Sequence, residues 1–174
     1  MHLNSIVSFL RNIRKLHRVL GLSICLLVII SATTGILLSY KKQAEWIQPS
    51  TQSGKSAQTE QFISIDSIHK IGIKQVIGLK NTITIDRIDI RPEKGIAKIL
   101  YKDVNWEMQI DISTGKVLSQ KARYSDLIER IHDGSFISES FKLGSMTYLG
   151  LGLLILTFSG LGLWYGPKVI RNKK

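Results

Sequence analysis

The chain has 174 residues, of which 44% are apolar, and its 24 Lys and Arg outnumber its 13 Asp and Glu for a net charge of +11. The single cysteine, Cys25, excludes an intrachain disulfide and a cysteine-rich metal or redox site. The charge does not indicate a nucleic-acid partner, because the unbalanced cations stand at the two ends, beside apolar runs, where anionic lipid headgroups meet them.

Residues 1–18 carry Ile6, Phe9, Leu10, Ile13 and Leu16 at steps of three and four, and Val19 continues the series. That spacing predicts an amphipathic helix with a basic face, lying along the inner membrane surface. Val19–Tyr40 contains no charge. A helix of that length rises about 33 Å at ~1.5 Å per residue, enough for a bilayer core of ~30 Å. A cleaved signal has an apolar run of only ~7–15 residues, so 19–40 reads as an uncleaved signal anchor. Cys25 within it reads as a small packing residue.

Residues 41–61 form a linker, and Gln48–Glu60 is polar enough that it is not expected to bury a core. The domain proper spans 62–122. Ser64 or Asp66 is placed to cap a helix running to about Gln75, with Ile65, Ile68, Ile71 and Ile73 along one side. Thr82–Arg91 alternates as a strand whose phase slips at Asp86-Arg87, the mark of a bulge. Gly95–Lys102, Val104–Ile112 and Lys116–Ala122 read as further strands, with a turn at Gly115. Trp106 is expected in the core. One helix on a small antiparallel sheet makes an α+β module.

Residues 123–142 form a juxtamembrane helix and turn, helical over Tyr124–His132 and broken at Gly134. A second charge-free stretch, Leu143–Pro167, predicts a membrane helix over 143–166, followed by a basic tail, 167–174. Trp46, Trp164 and Tyr165 read as interfacial belt residues.

All 13 acids lie between Lys41 and Lys142. The tails hold Arg11, Arg14, Lys15, Arg18, Lys168, Arg171, Lys173 and Lys174; removing these eight from 24 leaves 16 bases against 13 acids in the middle. Tails with Lys and Arg and no acid are expected in the cytoplasm, and the middle segment on the far side. The fold expected is a membrane α-helical hairpin of two transmembrane helices with an inserted periplasmic α+β domain.

The order of motifs resembles the PepSY-associated transmembrane family. Arg14-Lys15-Leu16-His17-Arg18-Val19-Leu20-Gly21-Leu22 is similar to the segment at which these proteins enter the membrane, and Thr34-Gly35 to the pair closing that helix. Ile131-His132-Asp133-Gly134-Ser135-Phe136 resembles the family's His-x-Gly segment. Gly150-Leu151-Gly152 and Ser159-Gly160-Leu161-Gly162-Leu163-Trp164 resemble its last helix. Asp111-Ile112-Ser113-Thr114-Gly115-Lys116-Val117 resembles the closing hairpin of a PepSY domain. The resemblance implies a bacterial inner-membrane location. Larger members have four or more membrane helices, and some are reductases that carry two haems b and act on ferric siderophores.

What the resemblance implies for this chain is a haem b-binding electron-transfer module, a ferric reductase or its subunit. His17 and His132 are the implied axial ligands. A haem beside a histidine needs a side-chain-poor surface, and Gly21 follows His17 by one helical turn while Gly134 lies close to His132. The opposing reading makes His17 one more interfacial base and His132 a surface histidine. One hairpin offers one histidine per membrane face, so bis-histidine ligation asks for a homodimer holding two haems. Ser31-x-x-x-Gly35 and Gly162-x-x-x-Gly166 permit close helix approach. Electrons would come from a quinol or a redox partner protein.

His2 and His69 are expected to be solvated. Asp126, Glu129, Asp133 and Glu139 gather near His132 in sequence, either as a solvated face or as groups that hold a cation or orient an imidazole. A second functional reading is a non-enzymatic PepSY-like module that binds a partner, inhibiting a peptidase or supporting a larger membrane complex.

Overall fold

The computed structural model describes residues 3–76, 84–102 and 104–171. The chain divides into two compact units, Met1–Gly35 with Arg130–Lys174, and Ile36–Glu129.

In the first unit, α1 (Leu3–Ser39) and α4 (Glu139–Arg171) dominate. Each is long and apolar enough to cross a membrane. Their large apolar side chains point outward: Leu22 is 79% exposed, Leu143 73% and Phe158 70%, as suits lipid rather than water. The two helices run antiparallel and interlock through small residues. Ile24 is buried against Gly152, Leu156 meets Gly21, and Leu10 is buried against Gly166. Side chains this small let backbones approach, which is what drives helix pairing where no water is expelled. α1 is unbroken at the junction of residues 18 and 19. Helix α3 (Ser125–Asp133) belongs to the second unit up to Glu129 and to the first from Arg130; it ends at Gly134, whose φ of +82° lies in the left-handed region that glycine tolerates.

The second unit is a four-stranded antiparallel meander, β1 (Ile85–Arg91), β2 (Ile96–Tyr101), β3 (Trp106–Asp111) and β4 (Val117–Ala122), in that spatial order. The expected α+β architecture is present. The expected bulge falls in β1, where the register shifts between Ile85 and Arg87. Thr82 and Ile83 of the expected strand lie outside the described residues. α2 (Ile65–Val76) is capped by Ser64, whose Oγ accepts from Ser67 N at 3.2 Å. It places Ile68 on Ala97, Ile99, Tyr101, Met108, Ile110 and Ile112, with Trp106 half-buried against the same cluster. Tyr101 Oη donates to Gly72 O at 3.0 Å, and burial pushes its phenol up to about 12.

The opposite sheet face is covered by a segment that reads in sequence as a linker. The linker, polar and not expected to bury a core, lays its backbone across that face: Gln52 N donates to Gln109 Oε1, Lys55 N to Asp111 Oδ2 and Gly54 N to Lys94 O, at 2.8, 3.0 and 2.8 Å. The reason is that the covered face is polar. Lys98, Glu107, Gln109 and Asp111 are all buried there, and a polar strap satisfies such groups where an apolar one would not. A Cβ on Gly54 would overlap the carbonyl oxygen of Gly95, so the strap crosses at a point only glycine permits.

Candidate functional site

The two histidines singled out from the sequence stand in matching surroundings within the helical unit. His17, on α1, places Nδ1 2.7 Å from Ser159 Oγ on α4. His132, on α3, places Nδ1 2.9 Å from Thr34 Oγ1 on α1. Each hydroxyl precedes a glycine that faces the ring: a Cβ on Gly160 would lie 3.5 Å from His17 Cε1, and one on Gly35 3.3 Å from His132 Cε1. The two sites are separated along α1 by the span from residue 17 to residue 35. That is about 27 Å at ~1.5 Å per residue, close to a bilayer core.

Both hydroxyls also reach their own helix backbone. Thr34 Oγ1 donates to Ile30 O at 2.7 Å and lies 3.2 Å from Ser31 O. Ser159 Oγ donates to Leu156 O at 3.1 Å. Thr34 and Ser159 are both buried, and both rings are half-buried.

The turn after His132 is held rigidly. Ser135 N donates to Asp133 Oδ1 at 2.9 Å, Phe136 N to Arg130 O at 3.0 Å, and Lys142 Nζ pairs with Asp133 Oδ2 at 2.7 Å. Desolvation of the Asp133 carboxyl opposes ionisation, but the Lys142 and Ser135 hydrogen bonds prevail and hold it at about 2. Beside this turn lies an apolar cavity of about 290 Å³, bounded by Leu26, Ile30, His132, Phe136, Phe141 and Leu149 among others.

Of the glycines expected beside the rings, Gly134 lines the cavity beside His132. Gly21 packs on Leu156, and Gly134 makes the turn against Phe141 and Ser145. The glycines that touch the imidazoles are Gly160 and Gly35, contributed by the opposing helix. Two of the four small residues noted for dimer packing, Gly35 and Gly166, are thus used inside the chain, while Gly162 has open space where a Cβ would stand.

The four acids near His132 in sequence do not form one group. Asp126 pairs with Arg87 and Arg123, Asp133 pairs with Lys142, and Glu129 and Glu139 are exposed. Among the described residues, no three His, Cys, Asp or Glu are grouped to hold a metal ion. His69 is exposed on α2, Cys25 is exposed on α1, and His2 lies outside the described residues.

Sequence reading missed Thr34 and Ser159 as partners of the histidines. The signal was present: each is the hydroxyl residue of a hydroxyl-Gly pair, one late in each apolar run.

The family model of the PepSY-associated TM region matches residues 14–173. No curated protein and no solved structure matches the chain.

Proposed function

The chain belongs to the PepSY-associated transmembrane family, and from that premise we propose a haem b-binding electron-transfer module of the bacterial inner membrane, serving reduction of periplasmic ferric siderophores. Both tails are cytoplasmic in this reading and the sheet unit is periplasmic; the acid-free basic tails support that sense of insertion.

The observation that carries the reading is a pair of imidazoles that meet α1 at positions about 27 Å apart along its axis, His17 on α1 itself and His132 on α3 against Thr34 and Gly35, each anchored through Nδ1 and each against a glycine. These residues fit the group. Among the described residues neither Nε2 has a hydrogen-bond partner, so the ring nitrogen that would meet iron is unengaged. The cavity beside His132 is lined almost wholly by apolar side chains, the surroundings a porphyrin edge requires.

When bound, haem supplies one-electron transfer. The chain's own residues supply the rest. His17 and His132 would hold the group through their imidazoles, and Gly160 and Gly35 keep side chains away from the rings. Leu26, Ile30 and Phe141 exclude water beside His132. One chain offers one imidazole at each end of the helix pair, so a second copy completes each ligand set and the homodimer holds two haems. A quinol or a redox partner protein is the electron source.

The test is the spectrum and haem content of the protein purified from haem-supplied cells. A reduced Soret and α-band is expected, with about one haem per chain by the count of one imidazole from each copy per site. His17→Ala and His132→Ala should each halve that content and the double variant abolish it, while His69→Ala leaves it unchanged. A colourless wild-type protein would overturn the reading in favour of a partner-binding module.

A further inference from the structure

We infer that Thr34 and Ser159 are positioning residues that hold His132 and His17 in the Nδ1–H tautomer and so keep each Nε2 lone pair bare. This deepens the proposed function and depends on it for what Nε2 ligates, but not for the tautomer.

A hydroxyl has one proton to donate. Thr34 Oγ1 directs its proton to Ile30 O at 2.7 Å, and Ser159 Oγ directs its own to Leu156 O at 3.1 Å. Such back-bonding to the preceding turn is an ordinary position for a Ser or Thr hydroxyl within a helix. The bond between hydroxyl and imidazole, 2.9 Å for Thr34 and 2.7 Å for Ser159, is then donated by the ring. The opposite assignment removes the bond to the carbonyl and moves the ring proton to Nε2. No acceptor for either Nε2–H stands among the described residues. Two bonds per site are made in the first arrangement and one in the second. The count selects Nδ1–H at both sites.

The construction occurs twice, with Thr at one end of the helix pair and Ser at the other. Each hydroxyl comes from the helix that packs against the histidine, not from the histidine's own helix. The ring is therefore oriented by the same contact that closes the helix pair. A ligating histidine gains its orientation and tautomer from the acceptor that its second ring nitrogen meets.

The experiment is ¹⁵N NMR of the histidine side chains in the full-length apo protein in lipid nanodiscs, about two pH units above the ordinary imidazole value of ~6.5. Wild type should show protonated Nδ1 and bare Nε2 for both His17 and His132, and a tautomer mixture for His69. Thr34→Val, which keeps the shape of the side chain, should turn His132 alone into a mixture. Ser159→Ala should do the same to His17 alone. Thr34→Ser and Ser159→Thr should restore the wild-type pattern, which separates lost orientation from lost folding.

Haem titration of the same variants should show affinity at the affected site falling about 10–100-fold, with rescue by the conservative changes. Protonated Nε2 in the wild type, or an unchanged tautomer in Thr34→Val and Ser159→Ala, overturns the inference while leaving haem binding standing. Bare Nε2 in a protein that takes up no haem upholds the inference and overturns the functional reading.

Discussion

The two units bury polar groups in opposite ways. In the helical unit they are few and solitary, each bridging two segments at one point: His17 to Ser159 and His132 to Thr34, with an exposed bridge of the same kind from Ser23 to Tyr148 at 2.7 Å. In the sheet unit Lys98, Glu107, Gln109, Arg123 and Asp126 form one connected network. Glu107 accepts from Lys98 at 3.2 Å, from Gln109 at 2.7 Å and from Arg123 at 2.5 Å. Arg123 continues to Asp126 at 3.1 Å, and Gln109 donates to Ser50 O of the strap at 3.0 Å. No buried side-chain polar atom among the described residues lacks a partner. Single bridges suit a unit whose outer surface faces lipid, where unmatched polarity has no water to turn to. A network suits a small sheet that lacks an apolar cover for its second face, provided every member is satisfied.

The contrast predicts where each unit breaks. The largest effect belongs to Glu107→Ala, which leaves Lys98 and Arg123 buried without their shared carboxylate. Burial already lowers the Lys98 value from that of a free ammonium, with Glu107 partly offsetting it. Loss of one partner of a buried ion pair costs about 3–5 kcal/mol. Thermal unfolding followed by circular dichroism should show the strand signal melting earlier while the helical signal persists. A strand transition at the wild-type temperature would mean the network contributes little.

The next effect is acid release of the strap. Burial of Asp111 opposes ionisation, but hydrogen bonds from Ser113, from Lys55 N and from Thr114 outweigh it and hold the carboxyl at about 2. An unfolded Asp titrates near ~3.9. The folded value is the lower one, so the stabilisation is fully present above about pH 4 and is lost as pH falls toward about 2. Protease cleavage within residues 48–57 should rise across that window, and Asp111→Asn should raise it at neutral pH. Cleavage independent of pH in the wild type would sever the strap from Asp111.

The smallest effect is expected in the helical unit. Tyr148 Oη donates to Ser23 Oγ, whose own proton goes to Leu20 O at 2.8 Å. Hydrogen bonds between membrane helices average about 0.6 kcal/mol in double-mutant cycles. A Ser23→Ala and Tyr148→Phe cycle, read by unfolding in detergent, should give a coupling of that order. A coupling several times larger would erase the contrast between solitary bridges and network.

How much could be read from residues alone differs by element. The helix from Ser64, the bulge at Asp86-Arg87 and the left-handed turn at Gly115, with φ of +74°, follow from local rules of capping, alternation and backbone freedom. The membrane helices follow from length and hydropathy. The strap did not follow, because Gln48–Glu60 has the composition of a solvated linker and its partners Gln109 and Asp111 are 57 and 56 residues from Gln52 and Lys55. Gly160 and Gly35, which face the two rings, did not follow from nearness in sequence, because contact across packed helices joins positions such as 17 and 159.

The sequence by itself determined the membrane hairpin, the α+β insert and the family, since each rests on periodicity, charge placement or an ordered set of motifs. Which nitrogen of each histidine is engaged, which glycine faces each ring and which groups lie under the strap were decided only by tertiary structure. Those facts depend on how α1, α3 and α4 pair, and on which residues the sheet brings under a segment distant in the chain. Local propensity carries no information about either.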